Sequence, residues 1–345
     1  MRYTEEEENL IVLANIEDIG TPARLKILND CDAVKTLPSG VYNIVKDKLG
    51  DKAFRAKVLE NLENKGIVCV TVKSDCYPES LKNIDEPPAV LYCKGNIELL
   101  KSNCFSVVGS RKSTAGAIAQ CKKISEELTH AFTVVTGMAD GADSAAVEGA
   151  LPSGKIISVL ANGFDYRYPA INSGLIERVE KSGLLISEYP PHIPPLRYYF
   201  PYRNRLIAGL SRGTLVVSAG IKSGALITAN YALEYGREVF AFPYNTGIVS
   251  GAGCNDLIKN GAYLTENILD IFKVFGLDLE KSEKCTDLSE LERAVLEQIK
   301  ITGEGFLPVI AENLNKFTYQ LIPVAASLEI KGLITRLGGN RYAIV

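Results

Sequence analysis

The chain has 345 residues, 46% hydrophobic and 23% charged, an ordinary globular composition that fits two or three domains and a sizeable core. No apolar run reaches about 18–20 residues, and Met1-Arg2-Tyr3-Thr4 leads into Glu5 to Glu8 without the apolar stretch of a secretory signal. Neither a membrane span nor export is expected, and the chain reads as cytoplasmic. A net charge of −3 argues mildly against a polyanionic partner, so the local distribution of charge has to decide.

Residues 1–65 read as a small helical domain. Segment 5–16 carries Leu10, Leu13 and Ile16 at helical spacing, Thr21-Pro22 is a plausible cap pair, and 51–65 is a further helix closed by Gly66. Across 66–276 short β-rich runs alternate with helical ones. The runs are 67–72, 90–93, 105–108, 133–135, 156–160, 184–186, 214–217 and 239–242; the helices are 113–128, 143–150, 171–181, 203–209 and 225–235. That alternation predicts βαβ crossovers and a Rossmann-like, mostly parallel sheet covered on both faces. Residues 277–286 are polar and charged, like a linker. Residues 287–345 give helices at 289–301, 307–314 and 318–331 and a hairpin turning at Gly338-Gly339-Asn340, the layout of a winged helix.

The eight cysteines are scattered, without a close pair, and only His130 and His192 are present. Zinc and disulfide frameworks lack their spacing, so no metal or cofactor is expected and most cysteines should be small core residues. His192 sits in the stiff run Pro190-Pro191-His192-Ile193-Pro194-Pro195, which suits a structural role. Asp140, Asp143, Asp165 and Glu188 could cluster for acid–base work, but such residues more often cap helices and orient arginines. No catalytic residue is assigned.

In a parallel sheet, ligands sit beyond the carboxyl ends of the strands. The loops there are small and glycine-bearing: Gly109-Ser110-Arg111-Lys112-Ser113-Thr114, then a stretch bounded by Gly137 and Gly141, and the region from Ser218 to Ser223-Gly224. Arg111 stands where a dinucleotide fingerprint or a P-loop would need glycine. An anion-binding turn with Arg111 and Lys112 as added charge remains, beside the plainer reading of a capped helix with solvated bases. Between 101 and 123 there are five basic residues and no acid. Between 196 and 212, Arg197, Arg203, Arg205 and Arg212 alternate with Tyr198, Tyr199, Phe200 and Tyr202, again without an acid. Arginines neutralise phosphates while aromatic faces stack on unpaired bases, so this pattern points to single-stranded nucleic acid. The competing reading places some of these aromatics in the core and pairs some arginines with carboxylates such as Glu188. The apolar third helix of the C-terminal module suits protein contact better than duplex reading.

These loops, in this order, resemble the DNA-processing protein A family (DprA, also called Smf). The resemblance is carried by Val107-Val108-Gly109-Ser110-Arg111, Thr136-Gly137…Gly141-Ala142-Asp143, Tyr168-Pro169…Asn172, Phe200-Pro201-Tyr202-Arg203-Asn204-Arg205 and Ser223-Gly224-Ala225. It implies an extended Rossmann core that binds single-stranded DNA, usually as a homodimer, and helps to load the RecA recombinase during natural transformation. It also implies a sterile-alpha-motif-like N-terminal domain. The implied DNA contacts are the loop of Gly109, Ser110, Arg111 and Lys112, then Arg197, the stacking residue Phe200, and Arg203, Asn204 and Arg205. Ser218, Tyr244 and Val147 depart from residues frequent in the family. The rival classes are a nucleotide-processing enzyme of the lysine-decarboxylase-like family, whose Pro-Gly-Gly-x-Gly-Thr loop is absent, and a winged-helix transcription factor.

Overall fold

The computed structural model describes residues 3–16, 39–277, 288–302 and 304–344. The expected Thr21-Pro22 cap and all but the first residue of the expected linker lie outside them. The chain divides into two compact units, Met1–Gly276 and Leu277–Val345.

The first unit is built on nine strands in the order β1-β2-β6-β5-β4-β3-β7-β8-β9. They are β1 (Val68–Thr71), β2 (Val90–Gly95), β3 (Cys104–Val108), β4 (Thr133–Thr136), β5 (Ile156–Val159), β6 (Leu184–Ser187), β7 (Gly213–Val216), β8 (Glu238–Ala241) and β9 (Tyr263–Leu264). From β6 to β9 every pairing is parallel, while β1–β2 and β2–β6 are antiparallel. The mostly parallel α/β sheet is therefore observed. The central strands are buried throughout, as expected of a sheet covered by helices on both faces. Under its amino-terminal edge Phe105 packs against Phe132 and Phe240 at ring separations of 5.5 Å.

Two-residue β9 and the helices Ala252–Lys259 and Ile268–Val274 extend the pattern beyond the elements anticipated from sequence. The helix Glu5–Ala14 begins in a reciprocal cap, with Thr4 N–H donating to Glu7 at 2.8 Å. Its Leu10 and Ile11, with Leu62 of the helix Lys52–Asn64, share a core with Ile67, Cys69 and Tyr92. These helices thus belong to the same compact unit as the sheet.

The second unit runs helix Glu290–Thr302, β10 (Glu304–Phe306), helices Leu307–Asn313 and Thr318–Ile330, then β11 (Ile334–Gly338) and β12 (Arg341–Ile344). Its three strands are antiparallel in the order β10-β12-β11 around Ile299, Leu307, Leu321 and Tyr342. The three helices and the hairpin expected from sequence are present; β10 was not anticipated. Glu292 ties the unit together, accepting from Ser289 N–H at 2.8 Å, Ser327 Oγ at 2.6 Å and Lys331 Nζ at 2.8 Å.

Candidate nucleic-acid interface

Chain progression reverses between β3 and β7, the place where a doubly wound sheet opens a crevice. Here that crevice is laced shut by serines. Ser110 N–H donates to Ser218 O at 2.9 Å and to its Oγ at 3.2 Å, and the Ser113 and Ser218 hydroxyls are 2.5 Å apart. The open cleft lies to one side, above the carboxyl ends of β3, β4 and β5. It has a volume of about 60 Å³ and is lined by Arg111 after β3, Met138 to Asp140 after β4, Leu160 to Asn162 and Tyr168 after β5, and by Phe200 and Arg203.

The helix Tyr199–Leu210 starts four residues earlier than its sequence pattern suggested, with Pro201 tolerated in its first turn. Phe200, Arg203 and Asn204, at i, i+3 and i+4, therefore share a face. Arg205, two positions past Arg203, points about 200° away around the axis. This divides the arginines of the basic stretch. Arg197, just before the helix, is exposed and has no carboxylate partner among the described residues. Arg203 is only 5% exposed, donates to Val159 O and lies beside buried Asp143. Burial pushes the Asp143 carboxyl above its usual range while Arg203 pulls it back. Arg205, 3% exposed, pairs with Glu188 at 2.5 Å and stacks 4.0 Å from the Tyr202 ring, away from the cleft. Arg212 covers Phe275 at the opposite edge of the sheet.

In the other basic stretch Lys101 pairs with Glu98 and Lys122 with Glu148. Arg111 and Lys112 are exposed, with no carboxylate partner among the described residues. The Arg111 guanidinium lies 5.8 Å over the Phe200 ring, whose other neighbour is Tyr168 at 5.5 Å. One cation and two aromatic rings thus meet at the mouth of the cleft.

The glycines keep the loops this close. A Cβ on Gly137 would fall 2.4 Å from Asp143 Oδ2 and 2.7 Å from both terminal nitrogens of Arg203. Gly141, at φ +83°, brings its loop against the carbonyls of Ser110 and Arg111. Both glycines are occupied with this loop-to-loop contact, and Gly109 is packed against Ala142 in the same way. Ser223 and Gly224 do not line the cleft: Ser223 caps the helix Gly224–Glu234, and Asn204 Nδ2 donates to Gly224 O at 3.3 Å while its Oδ1 accepts from Arg203. The structure therefore brings Arg111, Phe200 and Arg203 together, holds Asn204 behind them, and leaves Arg205 elsewhere. It adds Tyr168, Asn162 and Asp140, which were not singled out as contacts.

Among the described residues no three His, Cys, Asp or Glu side chains are grouped to hold a metal ion, and no helix is long and apolar enough to cross a membrane. Asp165 pairs with Lys65 and Glu188 with Arg205, so the four acidic residues are dispersed. Burial raises the thiols of Cys69, Cys104, Cys121 and Cys254 to about 12, which leaves them unreactive core groups.

A Rossmann-like sheet extended by two antiparallel strands, with a cation and aromatics at its strand ends, defines the class. The model of the DNA recombination-mediator protein A family matches residues 68–276, from β1 to the end of the first unit, and the chain belongs to that family. It is 40% identical over 206 residues to DNA processing protein DprA of Streptococcus pneumoniae, covering 59% of this chain and 73% of that one. Protein Smf of Escherichia coli is 35% identical over 305 residues, 84% of this chain and 81% of that one. The X-ray structure of the Streptococcus pneumoniae protein superposes with a TM-score of 0.63 at 33% identity, covering 79% of this chain and 98% of that one. DNA processing protein A of Helicobacter pylori, whose structure is described for a unique mode of single-stranded DNA binding, gives 0.55 at 29% identity, over 60% and 95%.

Proposed function

We propose that this recombination mediator binds single-stranded DNA along the carboxyl edge of β3, β4 and β5. The observation that carries the reading is the Arg111 guanidinium 5.8 Å over the half-buried Phe200 ring, with Lys112 and Arg197 exposed nearby in the chain. The three cations meet phosphates, Phe200 takes an unpaired base, and Arg203 supports the floor from within. A relative's structure described for single-stranded DNA binding supports the same reading. As a mediator the chain would act as a homodimer in the cytoplasm and hand its DNA to a RecA-type recombinase. The order of elements after residue 287 supports a winged helix used for protein contact, and the helices before β1 would serve as an interaction or connector module. The nucleotide-processing alternative finds no support in the loop after β7, where Ser218 is engaged with Ser110 and Ser113 and residues 218–225 include no acid.

The test is fluorescence anisotropy with an oligo-dT probe at several salt concentrations. Three phosphate contacts give a log–log salt slope of about −2 for a single strand. Phe200→Ala weakens binding about 5- to 150-fold and leaves that slope unchanged, because stacking releases no counterions. A changed slope at unchanged affinity would refute the assigned role of Phe200.

A further inference from the structure

We propose that Ser218, braced by Tyr244, is a positioning residue for Arg111: it closes the crevice between β3 and β7 and so holds the turn after β3 in one conformation, with the guanidinium over the Phe200 ring. The inference rests on the single-strand reading above and adds to it the residue that sets Arg111 in place.

Arg111 is exposed, yet the backbone on either side of it is fixed. Ahead of it, Ser110 N–H donates to Ser218 O at 2.9 Å, and the Ser110 carbonyl accepts from Ser113 Oγ at 2.8 Å and from Ala142 N–H at 3.3 Å. Behind it, Lys112 N–H donates to Ser110 Oγ at 3.1 Å. Ser218 is fully buried, and its hydroxyl works in both directions. The Ser113 proton goes to Ser110 O, so the 2.5 Å contact between the two hydroxyls is a donation from Ser218 to Ser113. Ser218 Oγ in turn accepts from Ser110 N–H at 3.2 Å. One side chain thus ties both ends of the turn to the end of β7.

Tyr244 keeps Ser218 in that place. Its hydroxyl donates to Val217 O at 2.7 Å. The Asn255 amide brackets the Tyr244 backbone, accepting from its N–H at 3.0 Å and donating to its carbonyl at 2.9 Å. A Cβ on Gly251 would fall 1.9 Å from the ring, so glycine is required opposite it. A crevice at this position holds the ligand in other doubly wound sheets. Here its N–H and hydroxyl groups are spent on one another, which leaves Arg111 as the group that meets a phosphate. A turn that is already ordered has no such freedom to lose when the strand arrives, and this is what Ser218 contributes to binding.

The experiment is a double-mutant cycle on an oligo-dT probe, read by fluorescence anisotropy with the full chain, with thermal melting to confirm that each variant is folded. Ser218→Ala weakens binding about 2- to 12-fold, the weight of one hydrogen bond, while Arg111 is present, and has no effect when combined with Arg111→Ala. The loss persists in an Arg197→Ala background. Ser113→Ala, at the half-buried end of the same bridge, repeats the pattern and carries the test should Ser218→Ala not fold. A loss of equal size with and without Arg111 would mean that Ser218 serves the fold or touches the strand itself, and overturns the proposal. Binding as wild type by both serine variants also overturns it and leaves the strand-binding reading standing. If Arg111→Ala itself binds as wild type, that reading falls and this one with it.

Discussion

Replacing Glu188 by glutamine strands a buried guanidinium. Arg205 is 3% exposed, its Nη2 meets Glu188 Oε2 at 2.5 Å, and Nε and Nη1 have no hydrogen-bond partner among the described residues, so the carboxylate supplies the compensating charge. Guanidinium cannot shed its proton, and the Tyr202 ring 4.0 Å away is a weak substitute for an anion. Breaking a buried pair from one side costs about 3–5 kcal/mol. Set against a typical total of about 5–15 kcal/mol, that is a large fraction of the stability. The reverse change is milder. Arg205→Met fills the stem of the side chain, and the Glu188 carboxyl, which burial already pushes above its usual range, can relieve itself by taking a proton; about 1–3 kcal/mol is expected. The double variant should sit closer to wild type than Glu188→Gln alone, because apolar replacement of a buried pair is often neutral. Urea denaturation followed by far-UV circular dichroism measures all four proteins. A cost below about 1 kcal/mol for Glu188→Gln, or equal costs for the two single variants, would refute the reasoning.

Three further outcomes follow from the same geometry. Gly137→Ala drives a methyl into Asp143 and Arg203 and should cost about 1–3 kcal/mol as well as DNA affinity. Gly116→Ala, with nothing within 4 Å in the helix Ala115–Leu128, should add about 0.4–1 kcal/mol; melting curves distinguish the two glycines. Hydrogen bonds from Lys331, Ser327 and the Ser289 backbone hold the Glu292 carboxyl down from 4.5 to about 2. A depressed carboxyl stabilises the folded state above the unfolded value and loses that stabilisation as pH falls, so the second unit should weaken between pH 4.5 and about 2. Glu292→Gln should flatten this window in an acid titration followed by circular dichroism, and an unchanged profile would count against it.

The sheet was legible because its buried strands are continuous apolar runs between helices, and because each βα loop could be placed on one edge by rule. Two-residue β9 is too short to leave such a run. The site was legible in part. Arg111 and Phe200 stood out from loop position and composition, and both reach the cleft. Counting an acid-free basic stretch overstated the positive field, because folding carries acids to it from elsewhere in the chain. Glu188 takes Arg205 and Asp143 stands beside Arg203, while Glu98 and Glu148 take Lys101 and Lys122. Tyr168 was named only within the family motif and not as a contact, because it lies well beyond the end of β5 in sequence. Its place at the cleft depends on a turn that no periodicity announces. Asn162 sat within a loop already noted, but its fixed orientation becomes visible only once both amide hydrogens are placed.

The most direct test of the strand-binding account compares wild-type protein and Arg111→Ala on oligo-dT and on a duplex of the same length across a salt series. The account predicts tighter binding to the single strand. It also predicts a marked loss on removing Arg111, with the salt slope falling in magnitude by about 0.7 for the one lost phosphate contact. Equal affinity for the two probes, or Arg111→Ala binding as wild type with an unaltered slope, would contradict it.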